Sequence, residues 1–446
     1  MRSALLAALV LALLSAAAAP RVHATASEPA RAGKSPFAPV LGIYFRSKEP
    51  YGGTLAWFQP LTLRKLPGRK APLRDYFGSW AFSADRAVLA SARCDGQGGD
   101  PPGIRFVNAR TMRVLGDLPL SSSDGCADAL TWLRPDRLLA VVNAGSESEV
   151  VVVDPLARRV LRREPLPSYR LASARTSDEL VLMLTTWGAF APTRVAVVDA
   201  DGAVRTVAVD RVLEGTVVDE QSQDYRSRTM QPGLAVDPEG RRAFLIPASG
   251  SIAEIDLETL AVCYHDLNRP SLVERFYRWL FPDAEAKAME GPVREARWLG
   301  DGVIAVSGMD YSIAAGTQDG LEEATPAGLK LIDTRSWTSR MLSGTASSFV
   351  VAPGIVIAHG GGWDAQRKRS YGPGLLAFGL DGAERWRLHP GKARWIEPAG
   401  SIGYLHAVEG RAEVVDLETG RVLGTLRRNE RRDPWPRLLA AQASDW

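Results

Sequence analysis

The segment AEVVDLETGRVL, residues 412–423, decides the fold, because altered copies of it recur along the chain. Each copy has a short β-forming run, a turn-forming residue, a few polar residues and a second apolar run. The seven other copies are LAWFQPLTLRKL (55–66), IRFVNARTMRVL (104–115), VVVVDPLARRVL (150–161), VAVVDADGAVRTV (195–207), IAEIDLETLAV (252–262), LKLIDTRSWTSRML (329–342) and LLAFGLDGAERW (375–386). This repetition predicts a series of β-hairpins.

The turn position of the repeat carries residues that start tight turns. It holds Gln59, Asn108, Asp154, Asp199, Asp256, Asp333, Gly379 and Asp416. An Asp or Asn side chain at a strand end accepts hydrogen bonds from backbone N–H groups just ahead of it. A calcium site is the alternative for Asp199 and Asp201, but no full loop of oxygen ligands follows them. We therefore predict turns and no metal site.

A second hairpin precedes most copies of the first, for example Trp132-Leu-Arg-Pro-Asp136 followed by LLAVV. Two hairpins make a four-stranded meander of the size expected for a propeller blade. Seven contiguous units span 79–118, 129–166, 172–209, 232–267, 295–343, 347–389 and 393–427. Residues 40–46 and the first hairpin supply three strands of an eighth unit, and the C-terminal segment Arg437–Ala441 would complete it. The prediction is an all-β propeller of eight four-stranded blades closed by both chain ends, with seven blades as the alternative.

The turns Val236-Asp-Pro-Glu-Gly240 and Val415-Asp-Leu-Glu-Thr-Gly420 resemble YVTN-type propeller repeats. Such repeats occur in exported bacterial proteins and are similar to the heavy-chain fold of quinoprotein amine dehydrogenases. The copy LLAFGLDGAERWRLHPG (375–391) resembles the repeat of pyrroloquinoline-quinone propellers, with Trp386 at the aromatic position. The resemblance covers residues 40–427 and implies a fold, while function has to be argued from a site. Those quinone enzymes typically carry a vicinal Cys pair, which this sequence lacks.

The N-terminus has the pattern of a secretory signal peptide. Arg2 precedes an apolar run over residues 4–19, and small residues follow at about residue 24. We predict a signal peptide over residues 1–24, a flexible lead-in over 25–36 and one propeller domain over 37–446. The expected location is the periplasm, the cell-envelope exterior or the medium, without stable membrane insertion after cleavage. An uncleaved N-terminal anchor is the alternative.

Three cysteines, Cys94, Cys126 and Cys263, remain to be placed in an oxidising compartment. Cys94 and Cys126 both lie beside loop-forming sequence, so we predict a disulfide between them; three free thiols are the alternative. Cys263 falls in a strand pattern and is expected to be a small buried residue.

Two connections are longer than a compact propeller needs. Residues 210–231 are polar and predict a long loop. Residues 268–294 contain a predicted helix, Ser271 to Leu280, with a capping box formed by Ser271 and Glu274. Both connections would open onto the face that carries the ends of the second strands. The helix is either a lid or partner-binding element, or a cover for a blade edge.

The repeat alignment places six polar side chains on that same face. The second strands end at Arg93, Asn143, His359 and His406, among others, and the insertion is followed by Arg294 and Glu295. His359 and His406 occupy equivalent positions in neighbouring blades. A His pair with Arg and Glu suits an anionic ligand, proton transfer or a metal, although no metal-ligand spacing supports the last. The alternative is a solvated polar rim.

Catalytic signatures are missing from the sequence. It contains no G-x-S-x-G elbow, no P-loop and no H-E-x-x-H motif. With 24% charged residues and a net charge of +3, the chain has no global field that would attract nucleic acid. We therefore favour a monomeric binding or scaffold propeller for an unknown small molecule, glycan or protein, with no cofactor. The alternative is a quinoprotein-like oxidoreductase or its subunit, using pyrroloquinoline quinone.

Overall fold

Regular secondary structure in the described part of the chain consists entirely of β-strands. The computed structural model describes residues 39–46, 49–74, 79–94, 102–120, 126–144, 147–219, 226–267, 291–313, 322–364, 367–407, 411–427 and 436–439. The predicted signal peptide, the lead-in and the helix Ser271–Leu280 lie outside these residues. Within them, no helix is long and apolar enough to cross a membrane.

Five contiguous segments each form one four-stranded antiparallel sheet, with strands paired in chain order. Blade 1 contains β4 (Trp80–Phe82), β5 (Val88–Arg93), β6 (Gly103–Asn108) and β7 (Arg113–Pro119). Blade 2 contains β8 (Cys126–Arg134), β9 (Arg137–Ala144), β10 (Glu147–Asp154) and β11 (Arg159–Leu166). Blade 4 contains β17 (Gly233–Asp237), β18 (Arg242–Ile246), β19 (Ile252–Asp256) and β20 (Val262–His265). Blade 6 contains β26 (Ser348–Ala352), β27 (Ile355–His359), β30 (Leu375–Gly379) and β31 (Glu384–Leu388). Blade 7 contains β32 (Trp395–Ala399), β33 (Ile402–Ala407), β34 (Arg411–Asp416) and β35 (Val422–Arg427).

Two further blades carry additional strands. Blade 3 contains β12 (Tyr169–Arg175), β13 (Glu179–Thr185), β14 (Ala191–Asp199), β15 (Val204–Asp219) and β16 (Arg226–Met230). Blade 5 contains β21 (Pro292–Gly300), β22 (Val303–Ile313), β23 (Glu322–Pro326), β24 (Leu329–Asp333) and β25 (Thr338–Ser343). Its sheet continues into β28 (Gly362–Asp364) and β29 (Arg369–Tyr371), which belong to the chain segment of blade 6. The seven contiguous units expected from the repeat are therefore confirmed.

The remaining sheet, blade 8, is built from both ends of the chain. It joins β1 (Val40–Arg46), β2 (Glu49–Phe58) and β3 (Ala71–Arg74) to the C-terminal β36 (Arg437–Leu438). In the pairing of β1 with β36, Gly42 lies opposite Leu438 and Ile43 opposite Arg437. This closure leaves no blade without a neighbour, and the all-β propeller prediction is confirmed.

Hydrophobic clusters fill the spaces between neighbouring blades all the way round the ring. Eight clusters are found in the described residues, and each combines buried side chains from two adjacent blades. Between blades 7 and 8, Tyr404 packs with Phe58 and donates its hydroxyl hydrogen bond to the Pro60 carbonyl at 2.8 Å. Between blades 8 and 1, Ile43 packs with Leu89. The apolar faces of the strands thus bury one another only because the ring closes.

The Asp and Asn residues at the repeat corners form the predicted turns. The Asp416 carboxylate accepts hydrogen bonds from the backbone N–H groups of Glu418 and Thr419, at 3.1 and 2.9 Å. Equivalent bonds are made by Asn108, Asp154, Asp237, Asp256 and Asp333. Among the described residues, no group of three or more His, Cys, Asp or Glu side chains could hold a metal ion. We call the face that carries these corners the turn face.

The opposite face, the loop-rich face, carries hairpin extensions. Residues 210–231 were expected to form a loop, and this prediction is wrong: β15 continues to Asp219 and pairs with β16. The extended strand β22 pairs with β23, and Ala324 of β23 lies opposite Trp363 of β28. Polar residues form these strands because a solvent-exposed hairpin needs main-chain pairing but little apolar burial.

Cys94 is disulfide-bonded, whereas Cys263 is exposed and free, which corrects the expectation that Cys263 is buried. The side chain of Cys126 lies outside the described residues, so its pairing with Cys94 stays a prediction.

A disulfide between Cys94 and Cys126 would close a loop of about 30 residues and contribute about 3 kcal/mol to stability. Thiol titration of the unfolded, unreduced protein should find a single thiol per chain, rising to three after reduction. Three thiols before reduction would contradict the pairing.

Candidate functional site

The innermost strands of the blades surround a cavity of about 580 Å³ in the centre of the ring. Strands β8, β12, β17 and β21 supply most of its wall, and Val351 of β26 completes one side. The charged residues of the wall are Asp128, Arg170, Arg175, Arg294, Glu295 and Arg297. Four arginines against two carboxylates make the lining net positive, which favours an anion inside the channel.

Arg93, the first of the predicted site residues, ends β5 and is engaged within blade 1. Only 7% of it is exposed, and its guanidinium lies 3.4 Å from the Asp117 carboxylate. Arg105 also holds Asp117, through two hydrogen bonds of 2.7 Å. Arg93, Asn143 and His359 lie outside the set of described residues that lines the channel, whereas the predicted residues Arg294 and Glu295 belong to it.

Asn143 lies at the rim of blade 2 and takes part in a polar chain that reaches blade 3. Its amide contacts Asp128 at 3.4 Å and accepts a hydrogen bond from Ser148 at 2.8 Å. Asp128 in turn receives two hydrogen bonds from Arg170, at 2.9 and 2.6 Å. Asn143 therefore helps to position a channel residue, and Arg170 is a channel arginine that sequence analysis missed.

Arg294 is fixed in the wall of the channel by contacts on several sides. It is 8% exposed, and its Nη2 lies 2.7 Å from Asp310. Its Nη1 donates hydrogen bonds to the carbonyls of Val293 and Met309, at 3.1 and 3.2 Å. The charge of Arg294 is thus largely compensated, although its side chain still forms part of the wall.

The structure places Glu295 and His359 on either side of one residue, Ser348. Glu295 accepts hydrogen bonds from the Ser348 hydroxyl and from the backbone N–H of Phe349, the latter at 3.0 Å, and so links blade 5 to blade 6. His359 lies directly opposite Ser348 in the register of β26 and β27. Burial raises the pKa of the Glu295 carboxyl, while these hydrogen bonds oppose the rise.

His359 is 5% exposed, and its Nδ1 has no hydrogen-bond partner among the described residues. Its ring contacts Trp395 edge to face, with centroids 5.4 Å apart. Burial lowers the pKa of His359 to about 4, so the imidazole is neutral at physiological pH. Trp395 also lies opposite His406 in the register of blade 7. The side chain of His406 is outside the described residues, so contact between the two histidines stays a prediction.

The depressed pKa of His359 has a consequence for stability. Its pKa is lower in the folded than in the unfolded protein. Between pH 6.5 and about pH 4, His359 is therefore mostly protonated in the unfolded chain and mostly neutral in the folded protein, so acidification favours unfolding. Relative to a His359→Gln variant, the wild type should lose up to about 3 kcal/mol of unfolding free energy over that range. Urea unfolding at pH 7.0, 5.5 and 4.5 measures this difference; identical pH profiles for the two proteins would contradict it.

Arg297 is the channel residue with the least compensation for its charge. Among the described residues its guanidinium has no hydrogen-bond acceptor, and its one electrostatic partner is Glu295. Burial lowers the pKa of Arg297, and the Glu295 carboxylate partly offsets this. The sequence feature that could have identified Arg297 is its position directly before Trp298 in β21, the innermost strand of blade 5. The equivalence of the second-strand ends does not reveal Arg297, because this residue lies within β21, the first strand of its blade.

Comparisons with known proteins give a likeness of fold. No family model and no curated protein matches the sequence. Among solved structures, BamB from Moraxella catarrhalis has a TM-score of 0.45 at 13% identity, over 78% of this chain and 87% of that one. The dihydro-heme d1 dehydrogenase NirN has a TM-score of 0.49 at 12% identity, over 91% and 76%. The computationally designed protein Ika8 has a TM-score of 0.41 at 14% identity, over 78% and 86%. TM-scores this low do not by themselves establish the fold. The strand pairing described above does, and it makes the chain a β-propeller repeat protein.

Proposed function

We propose that this protein is an exported binding propeller that takes an anionic small molecule into its central channel. The cavity volume of about 580 Å³ lies in the range of small-molecule sites. Its lining carries four arginines and two carboxylates, and Asp310 beside the wall compensates Arg294, so the remaining net positive charge favours an anion over a cation. Export follows from the predicted signal peptide and agrees with the disulfide-bonded state of Cys94.

The observation that carries the proposal is the state of Arg297. Arg297 is half-buried, and a guanidinium partly withdrawn from water without hydrogen bonds is costly, so proteins normally pair such a group. In this channel, Glu295 supplies only a long-range attraction, because its carboxylate is occupied by Ser348 and Phe349. A carboxylate or phosphate group entering the channel would supply the missing acceptors, with bidentate geometry that suits arginine.

The other channel arginines define the surroundings of that ligand. Arg170 is held by Asp128, and Arg294 by Asp310, so both are fixed in position before any ligand arrives. Arg175 donates a hydrogen bond to the Trp132 carbonyl at 2.9 Å. A wall preorganised in this way binds without a large loss of side-chain entropy. We therefore propose that Arg297 contacts the anion directly and that Arg170, Arg175 and Arg294 contribute a positive electrostatic field around it.

Isothermal titration calorimetry with a panel of ions tests the proposal. Citrate, pyrophosphate and inorganic phosphate are the anionic probes, with glucose and spermidine as neutral and cationic controls. We expect one binding site per chain for at least one anion, weakening as salt is added, and no heat from the controls. Absence of binding by all three anions at millimolar concentration would overturn the proposal, as would equal binding of spermidine.

The quinoprotein alternative rests on the repeat resemblance, which includes Trp386, and on the predicted cluster of His and Arg residues. In the structure, Trp386 has a packing role. The Trp386 indole donates a hydrogen bond to the Leu417 carbonyl of blade 7 at 3.1 Å. Gly420 lies against the ring: a Cβ at this position, where φ is +69°, would come within 2.5 Å of it. Trp386 therefore connects blade 6 to blade 7 by a hydrogen bond and by packing. An absorption spectrum of the purified protein tests the alternative, which requires a bound quinone or haem band.

A further inference from the structure

A second concave site lies on the turn face, between blades 8 and 1 and away from the wall of the channel. It is a groove of about 470 Å³, lined by apolar and basic side chains that include Trp57, Leu66, Arg69, Arg110 and Met112. None of these residues belongs to the channel lining. The groove is formed where the connection from β2 to β3 meets the turn from β6 to β7.

The floor of the groove has a fixed shape. The Trp57 indole donates a hydrogen bond to the Ala109 carbonyl at 3.2 Å, which ties blade 8 to blade 1. The Asn108 side chain accepts hydrogen bonds from the N–H groups of Arg110 and Thr111, and Met112 follows with φ at +54°. An apolar floor held by hydrogen bonds provides a preformed pocket for an apolar side chain.

The walls of the groove are basic and exposed. The connection over residues 59–70 contains four basic residues and no acidic one: Arg64, Lys65, Arg69 and Lys70. Arg110 adds a fifth charge from blade 1. All five side chains are exposed, and none makes an ion pair within 4.0 Å among the described residues. The concentration of unpaired charge is local, since the chain as a whole has a net charge of only +3.

Asp85 of blade 1 interacts electrostatically with Arg110, but its carboxylate is held mainly by its own turn. Asp85 accepts hydrogen bonds from the Ser83 hydroxyl at 2.7 Å and from the Ala87 N–H at 3.0 Å. Those bonds, with a smaller contribution from Arg110, lower the pKa of Asp85. The equivalent turn of blade 7 is different, because Arg421 there shares its turn with the acidic residues Asp416 and Glu418.

We propose that this groove docks an acidic segment of a partner protein, with an apolar side chain on the floor and carboxylates against Arg69 and Arg110. Arginine forks suit carboxylates, and charge complementarity directs such a segment to this face. An anionic membrane is the less suitable partner. A flat surface would engage the protruding Arg64 and Lys70 and would leave the apolar floor unused.

Fluorescence anisotropy with a labelled peptide tests this docking site. The probe is Glu-Glu-Leu-Glu-Glu, capped at both ends, and the matched control peptide has Gln in place of each Glu. We expect the acidic probe to bind and the Gln peptide not to bind. The double variant Arg69→Glu, Arg110→Glu should weaken binding more than about tenfold.

The control variant Arg421→Glu changes a charge on the same face and should stay within about twofold of wild type, since Arg421 is not among the residues that line the groove. Circular dichroism and thermal unfolding establish that each variant is folded; exposed charges should shift the melting temperature little. Any one of three results overturns the proposal. The acidic peptide does not bind, the double variant and Arg421→Glu lose the same affinity for it, or the protein binds phosphatidylglycerol vesicles but not the peptide. Channel binding of citrate is independent of all three.

Discussion

Truncation of the chain after Pro436 is expected to destabilise the whole propeller, because it removes two buried leucines of the described C-terminal strand segment. Leu438 and Leu439 are 4% and 3% exposed, and they belong to the two clusters that join blade 8 to blades 7 and 1. The Leu438 N–H donates to the Glu397 carboxylate at 3.1 Å, and the Leu439 N–H to the Leu41 carbonyl at 2.9 Å. Loss of both leucines alone costs about 5 kcal/mol, a large part of the stability of a domain.

A chain that ends after Leu439 is the matched control, because it keeps β36 and both side chains. Urea unfolding should separate the two proteins, with the shorter chain unfolding at lower denaturant concentration. The shorter chain should also associate, since β1 would expose an unpaired strand edge. Equal midpoints for the two proteins would show that the ring does not depend on closure by its C-terminus.

Replacement of Arg297 by Gln is expected to remove anion binding while the protein stays folded. The guanidinium makes no hydrogen bond to other described residues, so its loss leaves no acceptor unpaired. Removing a half-buried charge also removes part of a desolvation cost, and the melting temperature should therefore stay unchanged or rise slightly. The affinity for the anion identified by calorimetry should fall by about tenfold or more, the value of one charge-assisted pair.

The variant Arg297→Lys distinguishes the contribution of the positive charge to anion binding from that of the planar guanidinium group. Lysine keeps the positive charge but loses the planar fork, so an intermediate affinity is expected. Arg340→Gln on the outer strand β25 is the control variant, because its side chain is exposed and lies outside the channel. A clear fall in melting temperature for Arg297→Gln, with anion binding unchanged, would make Arg297 a structural residue and would contradict the proposed site.

The blades could be predicted because their signals are local. Alternating Val, Ile and Leu runs specify strands, and an Asp such as Asp416 specifies its own turn through hydrogen bonds two and three residues ahead. Closure by the C-terminal strand also followed, since the repeat count left one sheet a strand short. The β15–β16 hairpin was missed because its polar residues lack the period-2 pattern that identifies a half-buried strand.

The site was less predictable because its contacts are between distant residues. Arg93 and Arg294 were expected to face a ligand, but Asp117 and Asp310 engage them. Sequence spacing does not reveal which acidic residue pairs with which arginine. The uncompensated charge of Arg297 depends on how five inner strands converge, and this is a property of the closed ring. His359 lies opposite Ser348 by strand register, whereas Glu295 reaches Ser348 through a side-chain hydrogen bond from the neighbouring blade, which the sequence does not reveal.

A crystal structure of the protein soaked in selenate, with anomalous data collected at the selenium edge, tests the channel site most directly. Selenate carries the charge and tetrahedral shape of phosphate, and its selenium identifies it without ambiguity. We predict an anomalous peak in the central channel with selenate oxygens about 2.7–2.9 Å from the Arg297 guanidinium. The peak should be absent from Arg297→Gln crystals soaked in the same way. A channel without selenate in the wild type, or an equal peak in the variant, would contradict the account.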